Sequence, residues 1–244
     1  MVSGAVALLD VLGWKGIWVR KEDAIGDLLA VTKAVEAKAA KSRRLSKSKR
    51  PGLWSEYNDL KSDLLLLSDT IALTVQGDER RAIELATLIV ASLIAHGLER
   101  SLPMRGAISA GKFYSKGNVF VGPAIDEVAA WYEQTDWIGA ILTPSADLVI
   151  DKHGPKFNAP HLLYSAPVKG IQKQTFYCVD WTFHEVTDGP FRFFGRNKLA
   201  DQLRALAPIV PEVASKIRNT MDFYDVLMLK PNPKEQAILD QFKK

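Results

Sequence analysis

Hydrophobic residues alternate along the chain between dense short runs and stretches with helical spacing. Val6-Ala7-Leu8-Leu9 is a dense run near the N-terminus and predicts a buried strand. Asp10 closes it, and the turn-like Gly13-Trp14-Lys15-Gly16 follows. Ile25, Leu28, Thr32, Val35 and Ala39 are then spaced 3, 4, 3, 4, which is one face of a helix. That helix fades into Lys38 to Arg50, and Pro51-Gly52 stops it. Leu64 to Leu67 is a second apolar run and Thr70 to Val75 a third, with Ser68-Asp69 between them. The pattern predicts a hairpin with an acid at its tip. Gly77-Asp78 caps a strong helix in which Ile83, Ala86, Val90, Leu93 and Gly97 repeat the 3, 4, 3, 4 spacing.

Arg105 to Lys112 and Asn118 to Val121 read as a strand pair around Ser115-Lys116-Gly117. Gly122-Pro123 opens a helix to about Gln134, Ile138 to Leu142 is another strand, and Thr143-Pro144-Ser145 starts a short helix. The order opens as βαββαβ, which predicts an α/β (α+β) fold with a ferredoxin-like core and later additions. Beyond Lys152 the pattern is less regular. Leu162 to Val168 and Gln174 to Trp181 suit strands, and Asn197 to Ala207 and Pro211 to Leu227 suit helices. With no internal repeat and no long linker, one domain over 1–244 is expected, its core at about 3–145 and its C-terminal additions at about 152–244.

Composition narrows the function classes. A hydrophobic fraction of 47% and a charged fraction of 25% over 244 residues suit an ordinary globular chain rather than a disordered or fibrous one. The single cysteine, Cys178, excludes an intramolecular disulfide framework and suits a core position in an alternating strand. Four histidines leave little room for a His-cluster metal site. The net charge of +4 fits anionic substrates without arguing for nucleic acid. The apolar run Ala86 to Ala95 falls short of the about 20 residues that span a bilayer. Val2 to Leu12 contains Asp10 and lacks a basic flank, so it is a poor signal peptide. A cytoplasmic protein with no membrane partner is expected.

The informative feature is a pair of acids at strand ends. In a ferredoxin-like sheet the first and third strands are central neighbours, so Asp10 and Asp69 converge at one end of the sheet. Two carboxylates with no His or Cys beside them suit hard divalent cations, Mg²⁺ or Mn²⁺. The glycine-flanked turn from Leu12 through Gly13, Trp14 and Lys15 offers backbone N–H groups to phosphate oxygens. An acid pair beside a phosphate cradle points to two-metal phosphoryl or nucleotidyl transfer. Asp is also a common turn and hairpin-tip residue, and that plainer reading stands beside the first.

Four stretches carry a family resemblance. Val6-Ala7-Leu8-Leu9-Asp10-Val11-Leu12-Gly13-Trp14 resembles the first metal strand of class III nucleotidyl cyclases. Leu67-Ser68-Asp69-Thr70 resembles their second metal hairpin, with Ser68 where the family usually has Gly. Met104 to Gly111 resembles their fourth-strand pattern, and Val121 to Ala129 the start of their interface helix. The resemblance implies cyclisation of a nucleoside triphosphate to a 3′,5′-cyclic monophosphate with release of pyrophosphate. It also implies two Mn²⁺ or Mg²⁺ ions per site, held by Asp10, Asp69 and the Val11 carbonyl, and a homodimer whose sites lie at the interface.

The departures are specific. The base-reading Lys of purine cyclases is replaced by Leu65 and its partner acid by Val119, while the helix Asn and Arg match Asp126 and Ala130. These departures, and the 59 positions between the metal acids, make the pyrimidine cyclases of bacterial Pycsar anti-phage systems the most similar branch. The resemblance then implies UTP or CTP as substrate, UTP ahead, and a cyclic nucleotide read by a separate effector protein. An adenylate or guanylate cyclase with rearranged contacts and a catalytically dead nucleotide sensor are the alternatives. Trp54 and Tyr57 lie upstream of the second metal strand, and Tyr57 is the candidate base contact, although packing is the commoner fate of both. Asp126 and Arg196 are candidate transition-state contacts. Arg105 reaches phosphate or stays a surface residue, and Arg192 and Arg196 flank Phe193-Phe194-Gly195. The run Lys38 to Arg50 holds seven basic residues and no acid. It suits a solvated helix end first and an electrostatic lure for triphosphate second. It lacks the interleaved aromatics of a nucleic-acid patch, so no nucleic-acid partner is expected.

Overall fold

A computed structural model describes residues 1–45, 56–117, 119–154, 159–170, 174–182, 195–206 and 211–229. The chain begins with β1 (Val2–Val11), a single turn α1 (Ile17–Arg20) and the long helix α2 (Ala24–Leu45). The hairpin β2 (Lys61–Leu67) and β3 (Thr70–Gln76) leads into α3 (Glu79–Glu99), then β4 (Met104–Lys116), β5 (Val119–Val121) and α4 (Pro123–Trp131). The additions are β6 (Gly139–Leu142), α5 (Pro144–His153), β7 (His161–Ala166), β8 (Gln174–Val179), α6 (Gly195–Ala205) and α7 (Pro211–Leu229).

The main sheet runs β2-β3-β1-β4-β6-β8-β7, with β5 paired to the far end of β4. β1 lies antiparallel to both β3 and β4, so the first four strands have the ferredoxin-like order. β6 continues the sheet parallel to β4. The central position of β1 explains its composition. Gly4 to Leu9 are buried on both faces, which requires a near-continuous apolar run rather than alternation. The edge strand β2 instead alternates exposed and half-buried residues.

Helices α2 and α3 cover one face of the sheet, and α4 lies on the other, over β1 and β4. Asp78 caps α3 by accepting the Arg81 N–H at 3.1 Å. The helix is long and apolar enough to cross a membrane, yet residues all around its circumference are buried within this protein, between the sheet, α2 and α5. On α2 the buried face passes through Ala24, Leu28, Val31 and Val35. Ile25, expected on that face, is 54% exposed because it stands one position off the stripe. Cys178 is buried, as an alternating strand position suggests. Pro51-Gly52, Trp54, Arg192 and Phe193-Phe194 lie outside the described residues, as do the side chains of the basic run.

Candidate functional site

Strand register builds the site. Asp10, at the end of β1, stands opposite Thr70 on β3 and opposite Arg105 on β4. Leu67 of β2 stands opposite Thr70, and Gly139 of β6 opposite Arg105. Residues paired this way share a face, so Leu67, Thr70, Asp10 and Arg105 form one row across four strands. The hairpin tip folds against the row, because the Val11 N–H donates to the Asp69 carbonyl at 3.1 Å. Both aspartates therefore sit at the same end of the sheet. Ser68 takes a left-handed conformation, φ 61°, to make that tip. Glycine adopts such a conformation more readily, and it is the residue the family pattern has there.

Arg105 is the residue that sequence reading left undecided, and it is no surface arginine. Its side chain is 10% exposed, and Nε and Nη2 each lie 3.0 Å from Asp10 Oδ2. Its Nη1 donates to the Thr135 carbonyl at 3.4 Å. Burial pushes the Asp10 carboxyl above its ordinary 3.8; the Arg105 guanidinium opposes that rise, and the charges of Asp69 and Glu133 add to it. The Asp69 carboxylate makes no hydrogen bond or ion pair with another described residue. A half-buried carboxylate repelled by a second, unpaired one is a donor set that favours an added cation. The Val11 carbonyl accepts the Trp14 N–H at 3.3 Å, and a carbonyl oxygen carries a second lone pair. Asp10, Asp69 and the Val11 carbonyl thus fit a hard divalent ion. Among the described residues no cluster of three His, Cys, Asp or Glu side chains is placed to hold one.

The turn after β1 is less open than its glycines suggest. The Leu12 N–H donates to the Pro103 carbonyl at 2.8 Å and the Trp14 N–H to Val11, so these two amides are engaged within the chain and do not form the expected phosphate cradle. Gly13 and Lys15 are exposed at the turn. Trp14 packs edge-on against Trp18 with ring centroids 5.6 Å apart. Gly16 turns the chain into α1 with a left-handed φ of 88°.

Three expected contacts fall elsewhere. The Tyr57 side chain is buried, and its hydroxyl donates to Glu84 Oε2 on α3 at 3.1 Å. Arg81 fixes the preceding turn through Asp59 and the Glu56 carbonyl, both at 2.6 Å. Tyr57 precedes β2, whereas Asp69 follows it; seven strand residues separate the two ends of β2 by roughly 20 Å. Tyr57 is therefore a packing residue and not a base contact within this chain. Asp126 is exposed in the first turn of α4. That turn lies beside Ser109, whose hydroxyl donates to the Ala124 carbonyl at 2.6 Å. Ser109 is four strand positions beyond Arg105, roughly 13 Å away. Arg196 Nε is shared between the two carboxylate oxygens of Asp225 on α7, each at 2.9 Å, so this guanidinium is engaged by another acid.

The structure adds two residues to the site. Glu133, just past α4, acts electrostatically on Asp10. Lys169, between β7 and β8, makes no hydrogen bond or ion pair through its ammonium with a described residue. Desolvation lowers its pKa, and the neighbouring charges of Arg105 and Lys216 lower it further, against Asp136 and Glu133. Neither position stood out in the sequence, because the partners are far apart along the chain. Arg105 thus pairs with Asp10, and the Lys169 ammonium lies within the electrostatic reach of Arg105.

No family model and no curated protein matches the sequence. Solved structures are similar in outline. One is the catalytic core of a rhodopsin-guanylyl cyclase with converted specificity, in complex with ATPαS. It is 16% identical, with 73% of this chain and 95% of that chain covered, at a TM-score of 0.43. Another is the guanylyl cyclase domain of the RhoGC fusion protein from the aquatic fungus Blastocladiella emersonii, 14% identical over 72% and 94% of the two chains, at 0.44. A third comes from the adenylate cyclases of Trypanosoma brucei, 14% identical over 73% and 90%, at 0.40. Guanylyl and adenylate cyclases are thus what this chain is similar to. The chemistry assigned below rests on Asp10, Asp69 and Arg105.

Proposed function

We propose that this protein is a metal-dependent nucleotidyl cyclase acting on a pyrimidine nucleoside triphosphate, UTP ahead of CTP. The observation that carries the cyclase reading is the convergence of Asp10 and Asp69 at one sheet end, with Arg105 locked onto Asp10. The preference for a pyrimidine rests on the sequence resemblance, with Leu65 in place of a base-reading Lys. In the reaction the ribose 3′-oxygen attacks the α-phosphorus. A new P–O bond forms, the bond to the β-phosphate oxygen breaks, pyrophosphate leaves, and the 3′-hydroxyl proton passes to water. Bound Mn²⁺ or Mg²⁺ supplies charge neutralisation and acidifies the attacking hydroxyl.

The chain's own residues bind and orient. Asp10 and Asp69 hold the cations. Arg105 opposes the protonation that burial favours at Asp10 and presents its guanidinium toward the incoming phosphates. Lys169 takes the negative charge that accumulates on the departing pyrophosphate. The reading includes a homodimer, a cytoplasmic location, and a cyclic-nucleotide signal in anti-phage defence read by a separate effector protein.

The test is incubation of purified protein with ATP, GTP, CTP and UTP in Mn²⁺, with products separated by chromatography. A cyclic pyrimidine monophosphate that disappears in Asp10→Ala and Asp69→Ala is the expected result, with losses of at least about a hundredfold. A purine product would move the assignment to an adenylate or guanylate cyclase. Nucleotide binding without any cyclic product would make the protein a sensor.

A further inference from the structure

The short segment between α4 and β6 touches both the Arg105 guanidinium and the backbone of Lys169. The Gln134 carbonyl accepts the Lys169 N–H at 2.9 Å. The Thr135 carbonyl accepts Arg105 Nη1 at 3.4 Å, and Thr135 also forms a β-bridge with Val168. The Asp136 N–H donates to the Pro167 carbonyl at 2.9 Å. Three consecutive residues therefore position Arg105 and the backbone of the Lys169 loop together.

The same segment is gripped from outside by α7. Asn219 Nδ2 donates to the Asp136 backbone carbonyl at 2.9 Å and to Asp136 Oδ2 at 3.3 Å. Ser215 Oγ donates to Oδ2 at 3.3 Å. Lys216 Nζ lies 3.2 Å from Oδ1, with both side chains 23% exposed. One residue beyond Asn219, the Thr220 hydroxyl accepts the Ile138 N–H at 2.9 Å. Ser215, Lys216, Asn219 and Thr220 stand at helical positions i, i+1, i+4 and i+5, which share one face. That face is spent on residues 136–138, a heavy investment of polar groups for a helix that could have packed by apolar contact alone.

We propose that α7 is a latch that sets the position of Arg105 and Lys169, with Asp136, Ser215, Lys216 and Asn219 as positioning residues for the triphosphate. This inference rests on the nucleotidyl cyclase reading above. Loss of the latch frees residues 134–136, and Arg105 and Lys169 move as a pair. Phosphate chains, which depend on both cations, are affected, whereas contacts to ribose and base are not. A displacement of about 1 Å in groups that orient a substrate is worth up to a hundredfold.

The experiment is calorimetric titration of the full chain in Mg²⁺ with inorganic tripolyphosphate, with the nucleoside triphosphate that binds best, and with its monophosphate. The latch variants are Asn219→Ala and Asp136→Asn. Asp225→Ala, which breaks the pair with Arg196 on the same helix, is the control. The expected result is about tenfold weaker binding of tripolyphosphate and triphosphate in Asn219→Ala. Asp136→Asn, which keeps one side-chain oxygen to accept from Ser215 and Asn219 but loses the charge opposite Lys216, gives a smaller loss. Monophosphate binding stays at the wild-type level in both, and Asp225→Ala changes none of the affinities. Unaltered triphosphate-to-monophosphate ratios in both latch variants would overturn the latch while leaving the cyclase reading intact. A wild-type protein that binds neither tripolyphosphate nor any nucleotide would overturn the reading and the latch with it.

Discussion

At the residue scale the site is a balance of charges, and a second carboxylate tests the same physics away from it. Asp10 tolerates half-burial because Arg105, 95 positions away in sequence, neutralises it. No local pattern announces such a pairing; it becomes visible only once register places Asp10 opposite Arg105. Asp147 on α5 has no such partner. Its Oδ1 is buried without a hydrogen bond among the described residues. Burial first, then the charges of Asp151 and Glu127, push its carboxyl up from 3.8 to about 7, while a hydrogen bond from the Tyr177 backbone opposes the rise. The folded protein thus holds this proton more tightly than the unfolded chain does. Its stabilising contribution is complete below about pH 4 and is lost as pH rises through about 7. Screening at a half-exposed carboxylate reduces the cost to about 1–2 kcal/mol. Asp147→Asn removes that loss. Urea unfolding at pH 8 is expected to show the variant more stable than wild type by this amount, and unfolding below about pH 4 to show near equality. Equal stability at pH 8 would mean that Asp147 is ionised and solvated throughout.

At the element scale, strands and helices were legible wherever burial imposed a clear period. The two-sided burial of β1, the β2–β3 hairpin and the Asp78-capped α3 all follow from runs and spacings in the sequence. Strand polarity was legible too, and it decides the fate of Tyr57. A residue just before the first strand of a hairpin lies at the end opposite the tip, so Tyr57 and Asp69 were bound to separate once β2 formed. Polar latches such as the grip of α7 on Asp136 were not legible, because they join an irregular segment to a helix through side-chain geometry alone. The contact between β1 and β4 makes its own demand at Gly106. A Cβ there would stand 2.2 Å from the Leu8 carbonyl oxygen and 3.1 Å from the Leu9 Cα, and backbone cannot yield as a flexible side chain can. Gly106→Ala is expected to push β4 away from β1 and to destabilise the fold by about 2–4 kcal/mol, read by thermal unfolding. Because Arg105 is the preceding residue, tripolyphosphate binding should weaken in the same variant even where it stays folded. Wild-type stability would show that the two strands are not held at this separation.

At the scale of the whole molecule, the face that carries the acids is only partly covered. α4 shields β1 and β4, but the same face of β2 presents Leu65 and Leu67, 41% and 46% exposed, directly beside the row that ends in Asp10 and Arg105. Charged residues guard the start of β2, at Lys61 and Asp63, while the end nearest the acids is apolar. An apolar strip continuous with an acid pair suits a second copy of this chain, which would bury the leucines and close the site over the substrate. Asp126, exposed on α4 and remote from its own chain's acids, is free to face the partner's site. On this view specific activity rises with protein concentration, and sedimentation shows a monomer–dimer equilibrium that nucleotide shifts toward dimer. Leu67→Glu places a charge in the strip without touching Asp10 or Arg105. The expected variant is folded and monomeric, and it binds tripolyphosphate while losing most of its turnover. Full activity from a protein that stays monomeric at every concentration would locate the complete site within one chain and leave the leucines as ordinary surface.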